Sequence, residues 1–200
     1  MKSNPTSPEP DLVGYEVLVA VTGGIAAYKV CDVVSRLVQR GVGATVAMTQ
    51  AARHFVGPLT FQALTGRGVL TDLWSADDSR DVQHIALTAR ADLLVVAPAT
   101  ANIIGKIAAG VADDVVTTLV ISADSPVLLA PAMNDRMWKN PIVQRNVRTL
   151  KNGGYAFVGP AEGWLACRSI GPGRMVDSPE LLEAVAAVLK ARPPKNSGSR

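Results

Sequence analysis

Apolar residues near the start of the chain change from one spacing to another. Residues 17–21 form a compact apolar run, typical of a buried strand, that ends at Thr22-Gly23-Gly24. Beyond this turn, apolar residues recur at the i, i+3, i+4, i+7 and i+8 spacing of an amphipathic helix, at Val30, Val33, Val34, Leu37 and Val38. Gly41 is expected to end that helix in the left-handed conformation, and residues 44–48 alternate as a second strand. The pattern predicts a parallel strand-helix-strand crossover.

The rest of the chain continues this alternation. The most continuous apolar run, 93–97, ends at Pro98 and predicts a strand at the centre of the sheet. The other predicted elements are helices at 102–109 and 114–121, a strand at 127–130 stopped by Pro131, a helix at 142–150, a strand at 155–158, and a helix at 179–189 with Ser178 as its N-cap. Their sum is a doubly wound parallel sheet with helices on both faces, a three-layer α/β/α domain. Such sheets bind ligands beyond the carboxyl ends of their strands.

The composition supports one domain of this class. The chain has 200 residues, close to the size of a single domain, and is 48% apolar but only 4% aromatic. A core built mainly from Val, Leu, Ile and Ala suits buried parallel strands covered by helices. Residues 1–13 and 191–200 lack hydrophobic periodicity, so we expect a domain at 14–190 between a disordered N-terminal tail and a disordered basic tail.

The net charge of +3 does not indicate a nucleic-acid surface. Lys190, Arg192, Lys195 and Arg200 lie in a C-terminal stretch without acidic residues, and without these four the balance falls from +3 to −1. No apolar run reaches the roughly 18 residues of a membrane span, and the N-terminus is unlike a signal peptide. Two cysteines are too few for a disulfide framework and suit a reducing compartment. We therefore expect a cytoplasmic protein without nucleic-acid or membrane partners.

The glycine turn after the first strand is the first candidate for chemistry. In Val21-Thr22-Gly23-Gly24-Ile25-Ala26-Ala27-Tyr28-Lys29 the turn leads into a helix N-terminus, whose free N–H groups and positive dipole end favour a phosphate. The segment lacks the G-x-G-x-x-G spacing of dinucleotide folds and the G-K-[ST] of a P-loop. From this segment alone, a tight turn without a ligand is an equally good interpretation.

Two segments later in the chain carry polar groups near predicted strand ends. Ala97-Pro98-Ala99-Thr100-Ala101-Asn102 offers small, hydroxyl and amide side chains that a ligand could approach closely. Asp113 and Asp114 could be metal ligands, but they have no His or Cys partner at suitable spacing. We favour helix capping for this pair and expect no metal.

Asn134 and His84 are candidates with competing structural interpretations. Asn134 lies in Pro131-Ala132-Met133-Asn134-Asp135-Arg136-Met137-Trp138, and its amide N–H₂ could donate to a substrate carboxylate. The pattern alone favours Met133 as a core residue and Asn134 as a turn residue. His84, one of two histidines, could act as an acid or base near neutral pH, although a lone histidine is more often structural.

Cys167 lies in a glycine-rich segment, 163–175, that is too irregular for a regular element and predicts a mobile flap. Arg168 beside it favours the thiolate, so the cysteine is a candidate proton-transfer group. Cys31, within the first predicted helix, is expected to be inert packing.

Together these segments resemble the homo-oligomeric flavin-containing cysteine decarboxylases. The likeness covers about residues 14–190 and rests on V-T-G-G-I-A-A-Y-K, A-P-A-T-A-N, A-G-V-A-D-D, P-A-M-N-D-R-M-W and the A-C…G-P-G-R-M flap. It is strongest for the members that decarboxylate phosphopantothenoylcysteine in coenzyme A biosynthesis. The resemblance implies a flavodoxin-like fold and an FMN site. The implied FMN-site residues are Gly23, Gly24, Ile25, Ala26, Thr49, Pro98, Ala99, Thr100 and Asn102.

The same resemblance implies a reaction and the residues that perform it. His84 corresponds to the active-site histidine, Cys167 to the flap proton donor, and Asn134 to the binder of the substrate carboxylate, with Met133 and Ala166 also at the substrate. The implied reaction is FMN-dependent decarboxylation of phosphopantothenoylcysteine to phosphopantetheine. The implied assembly is a trimer or a set of trimers, functionally coupled to phosphopantothenoylcysteine synthetase. One departure leaves substrate choice open: family flaps commonly read A-C-G-D, whereas here Arg168 and Ser169 follow the cysteine.

Two other functions stay open. An oxidative decarboxylase of a peptide C-terminal cysteine would stop at the enethiol and would not need the thiol of Cys167, so this cysteine favours the reductive enzyme. A non-catalytic flavin-binding regulatory subunit would be expected to have lost the histidine or the cysteine, and both His84 and Cys167 are present.

Overall fold

The fold is built on a parallel sheet. A computed structural model of the chain describes residues 10–73, 83–166 and 168–195, with the side chains of all of these except 83 and 84. In this part of the chain five parallel strands pair in the order β2-β1-β3-β4-β5. They are β1 (Glu16–Val21), β2 (Gly43–Met48), β3 (Leu93–Ala99), β4 (Val127–Pro131) and β5 (Ala156–Phe157). As predicted, the strand that begins at Leu93 is central in the sheet.

Helices cover both faces of the sheet. The helices are α1 (Ala27–Gln39), α2 (Pro58–Thr65), α3 (Gln83–Arg90), α4 (Ala101–Ala108), α5 (Val115–Ile121), α6 (Asp135–Lys139), α7 (Pro141–Asn152) and α8 (Ser178–Lys190). Side chains of β1 alternate between two cores: Val17, Val19 and Val21 pack with α1 and α8, whereas Leu18 and Ala20 pack with α4 and α5. The predicted three-layer, flavodoxin-like α/β/α domain is confirmed.

Three residues that were predicted to stop or cap an element lie within it: Pro98 in β3, Pro131 in β4 and Ser178 in α8. Pro98 does not stop β3, which continues to Ala99; the proline lies where the pairing with β4 is irregular, so its missing N–H breaks no regular ladder. Ser178 does not cap α8, because Asp177 is the extended residue at the N-cap and Ser178 is already helical. Gly41, in contrast, follows α1 at φ +88° in the predicted left-handed conformation.

The segment predicted to be an irregular flap overlaps two strands that form a hairpin. Strands β6 (Ala161–Trp164) and β7 (Ile170–Arg174) pair in antiparallel fashion, with Trp164 opposite Ile170. Gly163 and Gly173 have positive φ angles, +158° and +138°, where the strands bend. Glycines are uncommon within strands, so the sequence did not predict strands here. Cys167, which lies between the two strands in sequence, is outside the described residues.

Residues at the inner ends of both predicted tails contact the rest of the domain. Leu12 is fully buried, and the carboxylate of Asp11 accepts hydrogen bonds from Arg40 and Lys190. At the other end, the carbonyl of Arg192 accepts a hydrogen bond from Tyr15, and the backbone N–H of Lys195 donates to Asp92. Residues 10–13 and 191–195 therefore pack on the domain, and the rest of both predicted tails, 1–9 and 196–200, lies outside the described residues.

We expect Asp11→Asn to destabilise the fold only slightly, and only above about pH 4. The hydrogen bonds from Arg40 and then Lys190 hold the pKa of Asp11 well below its usual range. A carboxyl whose pKa is depressed on folding stabilises the protein above its unfolded pKa of about 4, and that contribution is lost as the pH falls. Because more than a third of the Asp11 side chain is exposed to solvent, the loss at pH 7 should be at most about 1 kcal/mol. Urea unfolding should show a gap between wild type and variant that shrinks below pH 4, and a gap independent of pH would contradict this.

Across residues 10–73, 83–166 and 168–195, the helices are too short or too polar to cross a bilayer.

Candidate functional site

A large cavity opens at the carboxyl ends of the parallel strands. Its volume is about 1060 Å³, at or above the upper end of the roughly 300–1,000 Å³ usual for small-molecule sites. The wall is formed by the loops that follow β1, β2, β3 and β4 and by the β6–β7 hairpin. The position agrees with the rule that doubly wound sheets bind ligands beyond their strand ends.

The turn after β1 presents free backbone donors to this cavity. Thr22 is buried and its Oγ1 donates to the carbonyl of Pro98 at 2.5 Å, which ties the ends of β1 and β3 together. In the described residues, the N–H groups of Gly23, Ile25 and Ala26 have no hydrogen-bond acceptor. Ala26 is the N-cap of α1 and supplies no side-chain cap. The three N–H groups, with the positive end of the helix, form an anion-binding cradle.

The cradle is held closely against the loop after β2. A Cβ on Gly23 would collide with the Cβ of Ala51, so only glycine allows this approach. Ala51, Gln50 and Thr49 all lie on the cavity wall.

The end of β3 contributes polar groups from the start of α4. Thr100 caps the helix, since its Oγ1 accepts a hydrogen bond from the N–H of Ile103 at 3.3 Å. Thr100 and Asn102 lie on the cavity wall, whereas Pro98 and Ala99 are buried behind it. Pro98 and Ala99 both belong to the end of the central strand β3, and the ring of Pro98 lies close to Gly24 on the wall, so their contact with a ligand stays a prediction.

Asn134 lies on the wall where β4 ends. Its Oδ1 accepts a hydrogen bond from the N–H of Met137 at 2.8 Å and caps α6. The amide nitrogen has no partner among the described residues, so both its N–H donors remain for a ligand. The two interpretations of Asn134, turn residue and carboxylate binder, are therefore compatible.

The hairpin is locked onto this same turn. The N–H of Met133 donates to the carbonyl of Gly173 at 2.9 Å, and a Cβ on Gly173 would collide with the backbone oxygen of Met133. Trp164, Leu165 and Ala166 extend the wall along the hairpin. Hairpin and Asn134 turn thus form one side of the cavity.

Two ionic clusters contribute side chains to the cavity wall and differ in net charge. In the first, Asp177 accepts a hydrogen bond from Lys29 at 2.8 Å and two from Arg174 at 3.1 Å. Lys29, and to a smaller extent Arg174, lowers the pKa of Asp177, which stays ionised. The cluster carries a net charge of +1.

The second cluster has the opposite balance. Lys106 contacts Asp113 at 2.7 Å and Asp114 at 3.1 Å, and its hydrogen bond lowers the pKa of Asp113. Asp114 also caps α5 by accepting a hydrogen bond from Thr117, so the capping hypothesis holds for Asp114, whereas Asp113 is an ion-pair partner. The described side chains contain no group of three or more His, Cys, Asp or Glu residues that could hold a metal.

The structure brings most of the predicted site residues together. Ten of them line the cavity, namely Gly23, Gly24, Ile25, Ala26, Thr49, Thr100, Asn102, Met133, Asn134 and Ala166. His84 lies in the first turn of α3, but its side chain, like the whole of Cys167, is outside the described residues.

The sequence matches a known protein family over most of its length. The family described as Flavoprotein matches residues 5–190. The chain belongs to the Flavoprotein family.

One relative of this chain is a larger protein. This chain is 48% identical over 170 residues to the coenzyme A biosynthesis bifunctional protein CoaBC of Bacillus subtilis (strain 168), covering 85% of this chain and 42% of the relative. The chain thus spans less than half the length of this curated relative.

Two solved structures match the Flavoprotein domain along nearly their whole length. One, a mutant PPC decarboxylase in complex with pantothenoylaminoethenethiol, is 30% identical with a TM-score of 0.78, covering 86% of this chain and 97% of that chain. The other, the FMN-dependent cysteine decarboxylase SpaF, is 36% identical with a TM-score of 0.71, covering 88% and 99%.

Sequence reasoning missed several wall residues of this Flavoprotein site. Lys29 lies one helical turn beyond the cradle and was within the segment singled out, so its position on the helix could have revealed it. Arg174 and Trp164 also lie within a segment singled out, the flap at 163–175, but that segment was predicted to be irregular, so no spacing placed them on the wall.

Proposed function

We propose that this chain is an FMN-dependent decarboxylase that converts phosphopantothenoylcysteine to phosphopantetheine. The observation that carries the proposal is that one cavity combines an anion-binding cradle at Gly23, Ile25 and Ala26 with the free amide of Asn134. The cradle suits the phosphate of a cofactor, and the amide of Asn134 suits the carboxylate of a substrate. The similarity to CoaBC and to PPC decarboxylase supports the same reaction.

The residues present fit FMN. The unpaired N–H groups of the cradle suit its phosphate, since a helix N-terminus without a side-chain cap favours an anion. Thr49, Thr100 and Asn102 supply hydroxyl and amide groups for a polyhydroxy chain. When bound, FMN would supply reversible hydride transfer.

The chain's own residues bind and orient the substrate. The amide N–H₂ of Asn134 donates to the cysteine carboxylate and holds the bond that releases carbon dioxide in a fixed place. The apolar side chains of Met133, Leu165 and Trp164 exclude water around it. Following the family resemblance, we assign the return of a proton to the product to Cys167 Sγ, and we assign His84 as the active-site acid or base.

The decisive experiment is anaerobic incubation of the flavin-loaded protein with phosphopantothenoylcysteine, followed by carbon dioxide release and product mass. Phosphopantetheine is the expected product, and flavin-free protein is the matched control. An enethiol that accumulates instead would identify the oxidative decarboxylase. Absence of turnover with flavin bound would point to a peptide substrate or to the flavin-binding subunit.

The proposal extends to assembly and location. Ile25, Tyr28 and Trp164 are all more than half exposed at the cavity, which supports cover by a second subunit of a homo-oligomer. Sedimentation analysis should give a multiple of three chains.

Coupling to phosphopantothenoylcysteine synthetase is supported by the bifunctional relative. A cytoplasmic location is supported by the small number of cysteines, two, which suits a reducing compartment.

A further inference from the structure

The cavity wall carries a second group that attracts anions, separate from the cradle. Lys29 extends from α1 and Arg174 from the end of β7, and both donate to Asp177 at the N-cap of α8. The carboxylate of Asp177 makes no capping bond because it is turned toward these two cations. Lys29, Asp177 and Arg174 are named the cationic triad below.

The cationic triad has unused charge and unused donors. Two cations share one carboxylate, so a charge of +1 remains, whereas the Lys106 cluster on the same wall is net negative. Lysine has three donors and arginine five. Lys29 uses one of its three and Arg174 two of its five on side-chain acceptors among the described residues. Free donors with excess positive charge suit a phosphate dianion.

The guanidinium of Arg174 is also held in place. Its Nε is buried without a partner, and a Cβ on Gly163 would lie 3.1 Å from that atom. Neighbouring Gly173 is hydrogen-bonded to the Met133 turn. Lys29 and Arg174 side chains are only 17% and 35% exposed, so solvent screens them less than free surface cations. A preorganised pair loses little freedom when it binds a ligand.

We propose that Lys29 and Arg174 bind the phosphate of the substrate and thereby set a preference for phosphorylated cysteine conjugates over unphosphorylated ones. The inference rests on the proposed function, under which two phosphate-bearing molecules share one cavity. The wall offers one anion-binding group for each. The backbone cradle takes the cofactor phosphate, and the cationic triad takes the substrate phosphate.

The test compares two ligand pairs on the flavin-loaded protein. KM is measured for phosphopantothenoylcysteine and pantothenoylcysteine, and Kd by calorimetry for phosphopantetheine and pantetheine. Arg174→Met and Lys29→Met should each weaken the phosphorylated ligand about 10- to 100-fold, as expected for hydrogen bonds to a charged group. The unphosphorylated ligand should change less than about threefold, since it makes no such bond. Arg174→Lys should recover part of the loss.

Arg36→Met is the matched control. Arg36 pairs with Asp32 on the exposed face of α1, so this variant removes the same charge away from the cavity. The ratio of its Kd for pantetheine to its Kd for phosphopantetheine should equal that of wild type.

The outcomes separate this inference from the proposed function. A wild type that prefers phosphopantetheine in binding, with the preference lost in both triad variants, but does not decarboxylate would refute the function and keep the inference. Decarboxylation with equal KM for both substrates would overturn the inference alone, and so would triad variants that keep the wild-type ratio of affinities for the two ligands. Triad variants that lose flavin but keep this ratio would assign the triad to the cofactor phosphate and would also overturn the inference. A wild type that neither binds nor turns over these compounds would refute both.

Discussion

Replacing Asn134 with aspartate should lower decarboxylation at least about 100-fold while leaving the fold intact. Aspartate caps a helix as well as asparagine does, so the acceptor for the N–H of Met137 is preserved. The variant loses the amide donors that face the cavity and places a negative charge beside the substrate carboxylate. A lost hydrogen bond to a charged group costs about 1.5–3 kcal/mol, and repulsion adds to it, which gives a factor of about 100 or more.

Asn140→Asp provides the matched control for this change. Asn140 caps α7 in the same way, through the N–H of Ile142, but does not line the cavity. Thermal unfolding of both variants should match wild type within about 0.5 kcal/mol, because each keeps its cap. Steady-state turnover should fall only in Asn134→Asp. Equal turnover of both variants would show that Asn134 acts as a cap and not as the carboxylate binder.

The strands and helices that sequence alone predicted are those whose burial is repeated along the element. In α1, the residues at Val30, Val33, Val34 and Leu37 are all buried, so the helical spacing of the core face was visible in the sequence. The central strand β3 is buried along its entire length and showed the expected continuous apolar run. Such elements carry their signal locally.

Other elements depend on contacts that sequence spacing does not reveal. The hairpin exists because Gly173 docks on Met133, forty residues earlier in the chain, and its own strands contain glycine and proline. The helices α2 and α6 bury only Phe61 and no residue, respectively, so neither has a repeated apolar face that the sequence could show.

The candidate site was predictable in outline because its parts lie at strand ends. Thr22 and Pro98 are 76 residues apart, yet their hydrogen bond follows from neighbouring strands that end at the same edge. The family resemblance added roles that spacing could not assign, notably to His84 and Cys167. The cationic triad escaped both approaches, since it joins α1, β7 and α8 through side chains alone.

Gly173→Ala should release the hairpin from the Asn134 turn and abolish activity without unfolding the sheet. Its φ of +138° disfavours any side chain, and the added Cβ would meet the backbone oxygen of Met133, which cannot move aside as a flexible side chain could. The backbone must shift, so the hydrogen bond between these two residues is lost. Strain of about 1–2 kcal/mol and the lost docking should add to roughly 3 kcal/mol or more.

Gly154→Ala is the matched control, because it adds backbone strain at a positive φ without a steric clash. Gly154 also has a positive φ, +87°, but a Cβ there would meet nothing within 4 Å. This variant should lose about 1–2 kcal/mol in thermal unfolding and keep full turnover. Gly173→Ala should lose turnover at least about 100-fold, because misplacement of binding groups by about 1 Å is enough for that effect. It should still bind flavin, since the cradle at Gly23, Ile25 and Ala26 is built by β1 and α1 and not by the hairpin. If Gly173→Ala retained wild-type turnover, the docking of the hairpin on the Asn134 turn would have no part in the reaction.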